Sequence, residues 1–424
     1  MRRKRVIAFA SGVLIVAGAV TVPLLLPGAS DRPAAATSPP APEPAAAPIP
    51  PPPPSPPRAP VATWPQYGRD AARTAAAGSS RVQPPYSTRW VVSGGSLIEF
   101  PPAIEGGNLY FGTNHGRVLS VSARTGRIRW SREYGRCIAA SPAVTAGLVY
   151  VSVMDPSPCS PNHDPADGFV VALDARTGVE RWRAPVGVTE SSPLVVGKLL
   201  YVGSWDGRLY ALDRLTGAIR WSFRTGGKIK GGAAAAGRTI VVGSYDGRVY
   251  ALDARTGAER WSAAAGSSIY ANPVIVDGRA VVGDLGGSIS AFRLADGQRL
   301  WSTRTAGYVY GSGAVWKHAV YVGSYDGRLY ALDAATGQIR WTFDAGGPIS
   351  GSPTVVGGIV YFARCSACVA GQTHLYPRGA FGVDAATGRL VWRNRDGEYT
   401  PIVSDGRFAY LVGYSRLYEL APVG

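Results

Sequence analysis

The 424 residues would fill roughly two or three ordinary domains, and the aromatic and aliphatic content is ample for a buried core. Lys and Arg number 44 against 28 Asp and Glu, a formal charge of +16. No nucleic-acid-binding motif accompanies that basic excess, so nucleic acid is not the expected partner. The charge belongs to a solvated surface, or to attraction for anionic lipid headgroups or wall polymers.

In chain order, residues 1–5 (MRRKR) form a basic cytoplasmic stub ahead of an apolar run that ends at Leu26. About 21 residues at about 1.5 Å each span about 31 Å, the hydrocarbon core of a bilayer. Segment 6–27 therefore reads as a single transmembrane signal-anchor helix. The basic cluster holds the N-terminus in the cytoplasm and places the rest outside the cell membrane. The rival reading is secretion after signal-peptide cleavage. Such peptides have shorter apolar stretches, about 7–15 residues, and only Gly28-Ala29-Ser30 resembles a cleavage site. No cysteine precedes Cys137, which argues against a lipid-anchored terminus. Residues 28–63 are rich in Pro and Ala, with seven prolines among the eight positions 50–57. They read as a disordered, polyproline-like linker able to reach up to ~100 Å.

From residue 64 to 424 the chain is repetitive. The unit at residues 321–341, YVGSYDGRLYALDAATGQIRW, recurs as YVGSWDGRLYALDRLTGAIRW from Tyr201 and VVGSYDGRVYALDARTGAERW from Val241. Within it, Asp326-Gly327 predicts a two-residue type I′ hairpin turn. The second turn, at Asp333 to Gly337, lets a carboxylate bond backbone N–H groups two residues on while Gly takes the left-handed position. Residues 329–332 lack polar/apolar alternation, so both sheet faces should be covered. The closing tryptophans are Trp90, Trp130, Trp182, Trp221, Trp261, Trp301, Trp341 and Trp392, with most steps 39 or 40 residues and two longer ones of 52 and 51. A period of about 40 residues with four strands per unit means propeller blades stacked on one another. Each Trp would wedge the outer strand and contribute a few kcal/mol by burial. Seven units are complete. The eighth, residues 399–420, lacks its Trp strand, which is available around Trp90. The expectation is an all-β, eight-bladed β-propeller whose N-terminal strand closes the last blade and removes the free sheet edges.

The pattern A-x-D-x-x-T-G-x-x-x-W is intact at residues 172–182, 211–221, 251–261 and 331–341, and WPQYGRD opens the region at residues 64–70. These features resemble the PQQ-like propeller family, which includes quinoprotein dehydrogenases and envelope-assembly lipoproteins. The resemblance covers residues 64–424 and implies the propeller fold more strongly than any activity.

Comparing the repeats separates fold from function. The Asp residues of the repeated turns, Asp206, Asp246 and Asp326 above and Asp174, Asp213, Asp253, Asp333 and Asp384 below, serve turns rather than catalysis. A small-residue motif precedes each innermost strand, as in Ser191-Ser192-Pro193. Three residues before its last position the blades carry Glu99, Ala139, Glu190, Lys230, Tyr270, Tyr310, Ser350 and Glu398. This set should ring the mouth of the central funnel, and its polar, aromatic, mixed-charge character suits a peptide or sugar-like ligand better than a metal. The competing reading is drift at exposed loop positions. Two insertions, residues 154–168 and 364–379, should open on the same face. They and a nearby crossover hold all four cysteines. Outside the membrane an even number of cysteines argues for disulfides. Locality favours Cys137–Cys159 and Cys365–Cys368 among three connectivities. The other reading is metal binding by Cys365, Cys368 and His374, or by Cys137, Cys159 and His163, but a lone C-x-x-C is a weak zinc signal.

The leading functional expectation is a non-catalytic, membrane-anchored binding platform: a monomeric propeller with an envelope protein or anionic polymer as partner, and no metal or cofactor. The second is a quinoprotein dehydrogenase using PQQ with calcium. As the resemblance implies it, that chemistry needs an Asp base, calcium ligands and usually an adjacent Cys-Cys pair, and no Cys-Cys occurs here. The third is the ectodomain of a sensor complex, with signalling supplied by a partner.

Overall fold

A computed structural model describes residues 63–154, 159, 167–366, 368 and 377–423. The stub, the expected helix at 6–27, nearly all of the linker and both insertion histidines lie outside the described residues. Among the described residues no helix is long and apolar enough to cross a membrane.

The described chain forms eight antiparallel sheets, one per predicted blade. Blade 6 shows the plan, with strands Ala314–Trp316, Ala319–Gly323, Arg328–Asp333 and Ile339–Asp344 running from the axis outward. Leu329, Tyr330, Ala331 and Leu332 are all buried, so both faces of the third strand are covered. The Asp turns behave as expected: Asp333 Oδ1 accepts from the N–H groups of Ala335 and Thr336 at 2.9 Å, and Gly337 has φ +74°. The hairpins differ from the expected two-residue type. The N–H of Ser324 reaches the carbonyl of Arg328, Gly327 donates back to Ser324, and Gly327 alone has positive φ (+87°). Tyr325, Asp326 and Gly327 thus form a three-residue loop with Gly in the left-handed position. Ser324 Oγ and the Asp326 carboxylate satisfy the turn's own N–H groups, which a type I′ turn would not require.

The tryptophans pin blade to blade. Trp221 Nε1 donates to the carbonyl of Ala254 in the next blade at 3.2 Å, and its ring lies on Gly257, where a Cβ would fall 2.5 Å from Cε3. The same contact joins Trp90 to Gly126, Trp130 to Gly178, Trp182 to Gly217, Trp261 to Gly297, Trp301 to Gly337 and Trp341 to Gly388. The repeated Gly therefore serves two needs, a left-handed backbone and a bare surface for the ring. Trp392 packs edge-on against Tyr86 and Tyr361 instead.

Closure occurs where the repeat count placed it. Strand Tyr86–Ser93 pairs antiparallel with Arg416–Pro422 and completes blade 8. Across that pairing Arg89 reaches Glu419 at 3.0 Å. Burial pushes the Glu419 carboxyl up to about 7 despite its cationic partner.

Residues 64–77 add a second closure, which the repeats do not show. The innermost strands present open edges toward the axis, and this segment supplies those of blades 1 to 7 with acceptors. Trp64 forms a bridge with Ile104 in blade 1, and Val144 donates to Pro65 at 2.7 Å in blade 2. Val195 donates to Gln66 Oε1 at 3.0 Å in blade 3. Ala235, Ile275, Val315 and Val355, in blades 4 to 7, donate to the carbonyls of Ala71, Ala72, Thr74 and Ala75. Ala76–Ala77 then runs parallel to Thr354–Val356 as a fifth strand of blade 7. One short segment so stitches seven blades along the axis. Arg73 anchors it. Its side chain is buried and donates to the carbonyls of Ala233 and Ser192 at 2.9 Å, of Pro193 at 3.3 Å, and of Tyr67. Burial lowers its pKa to about 10, so it stays cationic at neutral pH.

Candidate functional site at the funnel mouth

The crossover segments between blades converge on one cavity at the axis, lined by Glu99, Glu190, Lys230, Tyr270, Tyr310 and Ser350, six of the residues expected there. The stitching segment closes it from below, where Tyr67 forms part of the lining and its hydroxyl donates to Ser352 Oγ. The cavity volume is about 50 Å³. On a measure where one water needs about 10–15 Å³, that is room for a few waters or a small group.

Two expected positions fall outside the lining. Ala139 is buried beside the Cys137–Cys159 disulfide. Glu398 is 1% exposed and its carboxylate turns away to accept from Ser366 N–H and Oγ at 3.2 and 2.9 Å. Its neighbour Tyr399, with φ +54°, lines the cavity in its place.

Within the lining, Lys230 Nζ lies 3.0 Å from Glu190 Oε1. The same carboxylate accepts from Trp205 Nε1 at 3.0 Å and from the Tyr270 hydroxyl at 3.1 Å. Tyr270 and Tyr310 stack with centroids 3.9 Å apart, and Tyr325 continues the wall 5.8 Å from Tyr310. Burial first, then the Glu190 carboxylate, holds the hydroxyls of Tyr270 and Tyr310 far above the ordinary tyrosine range, so both remain neutral donors. Glu99 is pushed up to about 7 by burial, reinforced by the carboxylates of Glu190 and Glu398 and opposed by a hydrogen bond from Asn114.

Sequence comparison of the crossovers missed Trp205, Tyr245 and Tyr325. Each immediately precedes the Asp of a repeated hairpin, so the recurring aromatic before Asp-Gly was the available signal. The hairpin and crossover share a face, and the hydrogen bond from Tyr325 N–H to the Tyr308 carbonyl brings the two loops together.

The insertions are disulfide-bonded as locality favoured: Cys137–Cys159 with Cα atoms 5.0 Å apart, and Cys365–Cys368 at 5.6 Å. No free cysteine exists among the described residues, which removes the thiolate ligands of the metal readings. Of the wall arginines, Arg181, Arg220, Arg260 and Arg340 each pair with the Asp of their own turn at 2.7–2.8 Å. Those guanidiniums, first among several donors, hold Asp174, Asp213, Asp253 and Asp333 well below the usual carboxylate range.

A family model described as outer membrane protein assembly factor BamB matches residues 68–226, 205–314 and 309–418. The outer membrane protein assembly factor BamB of Shewanella oneidensis is 35% identical over 124 residues, 29% of this chain and 28% of that protein. The chain therefore matches well under two thirds of that relative's length. Among solved structures, BamB from Moraxella catarrhalis has a TM-score of 0.64 at 18% identity, covering 80% of this chain and 100% of that one. Quinohemoprotein alcohol dehydrogenase from Comamonas testosteroni has a TM-score of 0.71 at 14% identity, covering 86% and 81%. At those identities the two structures speak for the fold alone. With its eight blades, seven Trp–Gly pins between them and family matches that run from residue 68 to 418, the chain belongs to the PQQ-like propeller repeat family whose model is described as BamB.

Proposed function

We propose that the chain is a non-catalytic binding platform of the cell envelope, recruiting a protein partner to the mouth of the propeller funnel. The supporting observation is the mouth itself. Loops from several blades bring charged and aromatic side chains to a small cavity whose floor the residue 64–77 segment closes. Two disulfides suit an oxidising compartment outside the cytoplasm. In this reading residues 6–27 anchor the protein in the cell membrane as a single span and residues 28–63 hold the propeller away from it. Names of relatives such as "outer membrane protein assembly factor" agree with an envelope role.

The dehydrogenase reading fits the residues poorly. PQQ carries three carboxylates, whereas the cavity presents Glu99 and Glu190 against one lysine already paired. Among the described residues no group of three His, Cys, Asp or Glu side chains gathers to hold a calcium ion. The Cys365–Cys368 disulfide has two residues between its cysteines, not the adjacent pair that the resemblance calls for.

Photo-crosslinking in intact cells from a reactive amino acid placed at Tyr308 tests the platform. A discrete partner should be captured, and capture should fail when Glu190, Lys230, Tyr270 and Tyr310 are replaced together. Capture that survives the quadruple replacement unchanged removes the funnel mouth as the site. Quinone absorbance after incubation with PQQ and calcium would overturn the non-catalytic reading.

A further inference from the structure

The funnel mouth already holds one ammonium group, the chain's own Lys230. Lys230 Nζ sits 3.0 Å from Glu190 and 3.8 Å from the centroid of the Trp205 ring, with the Tyr245 and Tyr270 rings at 5.4 and 5.5 Å. A carboxylate backed by aromatic faces holds an ammonium through charge pairing and cation–π attraction together. A second carboxylate, Glu99, lines the same cavity with Tyr270, Tyr310 and Tyr399, and its charge acts on the hydroxyls of Tyr270, Tyr325 and Tyr399. Among the described residues, the side chains acting on Glu99 are Glu190, Glu398 and Asn114, none of them cationic.

We propose that the Glu99 side of this cavity takes the ammonium group of a lysine side chain from a protein partner, paired with Glu99 and packed against the Tyr270–Tyr310 stack. The proposal rests on the platform reading and names the chemistry of its partner.

Size and charge select among the candidates. A volume of about 50 Å³ accommodates an ammonium with a methylene or two. Two carboxylates against one lysine disfavour an anion. A hard divalent cation would need six to eight oxygen ligands, or near-octahedral geometry with retained waters, and gains little from stacked rings. A lysine suits the narrow approach because its charge rides on a slim four-carbon stem. Tyr308, 57% exposed and 5.9 Å from Tyr325, extends the aromatic wall outward, where the backbone around a partner's lysine would rest.

The test titrates the full chain with Nα-acetyl-lysine methylamide by calorimetry, alongside its neutral isostere Nα-acetyl-norleucine methylamide. The lysine compound should bind saturably and the norleucine compound should not. Glu99→Gln should weaken binding at least fivefold. Tyr310→Leu should weaken it about 3- to 30-fold, with Tyr310→Phe near the parent because the ring face is kept. Equal binding of the two compounds, or an unchanged affinity in Glu99→Gln that still melts like the parent, overturns the proposal. Tighter binding of cadaverine than of the lysine compound would assign the site to free amines, and displacement by stoichiometric calcium would assign it to an inorganic ion; either result also overturns it. If the Tyr308 crosslink captures the same partner in Glu99→Gln as in the parent, the platform stands and the lysine contact falls.

Discussion

The blade-to-blade pin can be isolated with two glycines of blade 4. Gly257 (φ +74°) carries the Trp221 ring, and a Cβ there would fall 2.5 Å from Cε3 and 2.7 Å from Cδ2. Gly237 (φ +56°) has nothing within 4 Å of its would-be Cβ. Alanine at either position costs about 1–2 kcal/mol for the left-handed backbone. Any gain from a less flexible unfolded chain applies equally to both. Only Gly257→Ala must also displace the indole. That adds about 1–3 kcal/mol of overpacking and about 0.5–1.5 kcal/mol if the bond to Ala254 breaks. The Gly257 variant should therefore be about 2–4 kcal/mol less stable than the Gly237 variant, measured by calorimetry and guanidinium unfolding of the full chain. In a Trp221→Ala background the two glycine variants should converge, since no ring remains to clash. Two variants within about 0.5 kcal/mol of each other in the parent background would falsify the pinning role.

Three further outcomes follow from the described contacts. Deleting residues 82–92 strips the partner from Arg416–Pro422 and opens a long edge, so size-exclusion chromatography should show aggregation; a deletion as soluble and stable as the parent refutes closure at blade 8. Arg73→Met leaves buried carbonyls of Ala233, Ser192, Pro193 and Tyr67 without their donor and should cost about 3–5 kcal/mol in denaturant unfolding, with Arg73→Lys losing less; a loss under 1 kcal/mol for the Met variant contradicts the anchoring role. Glu99 binds its proton more tightly in the folded state, with a pKa of about 7 against an ordinary 4.5, so its contribution is present below pH 4.5 and is lost as pH rises toward 7. Glu99→Gln should remove roughly 1–3 kcal/mol of that decline from the stability–pH curve, and superimposable curves would show that Glu99 titrates normally.

What the residues revealed beforehand depended on repetition. Eight tryptophans at steady spacing gave the blade count, and the missing Trp strand of the last unit pointed to Trp90. Cysteine locality gave both disulfides. The stitching segment occurs once, so no second copy exposes it, and it acts mainly through backbone carbonyls, which any residue possesses; Gln66 is the exception. The hairpin type was misjudged because Ser324 and Asp326 satisfy the turn's N–H groups with their own side chains, a local alternative that Asp-Gly alone does not reveal. Glu398 was misplaced for a tertiary reason: Ser366, at the start of the blade 7 insertion, holds its carboxylate, and the adjacent Tyr399 lines the cavity.

The stitching segment also fixes an order of events during synthesis. Trp64 leaves the ribosome early, yet the N–H of Val355 that its neighbour Ala75 must meet emerges almost 300 residues later. At about 5–20 residues per second that is a wait of about 15–60 s. Through that interval the strap has no closed ring to fasten. Its bonds to blades 1 through 6 can form as each blade emerges, but the last, from Val355 to Ala75, joins segments about 280 residues apart.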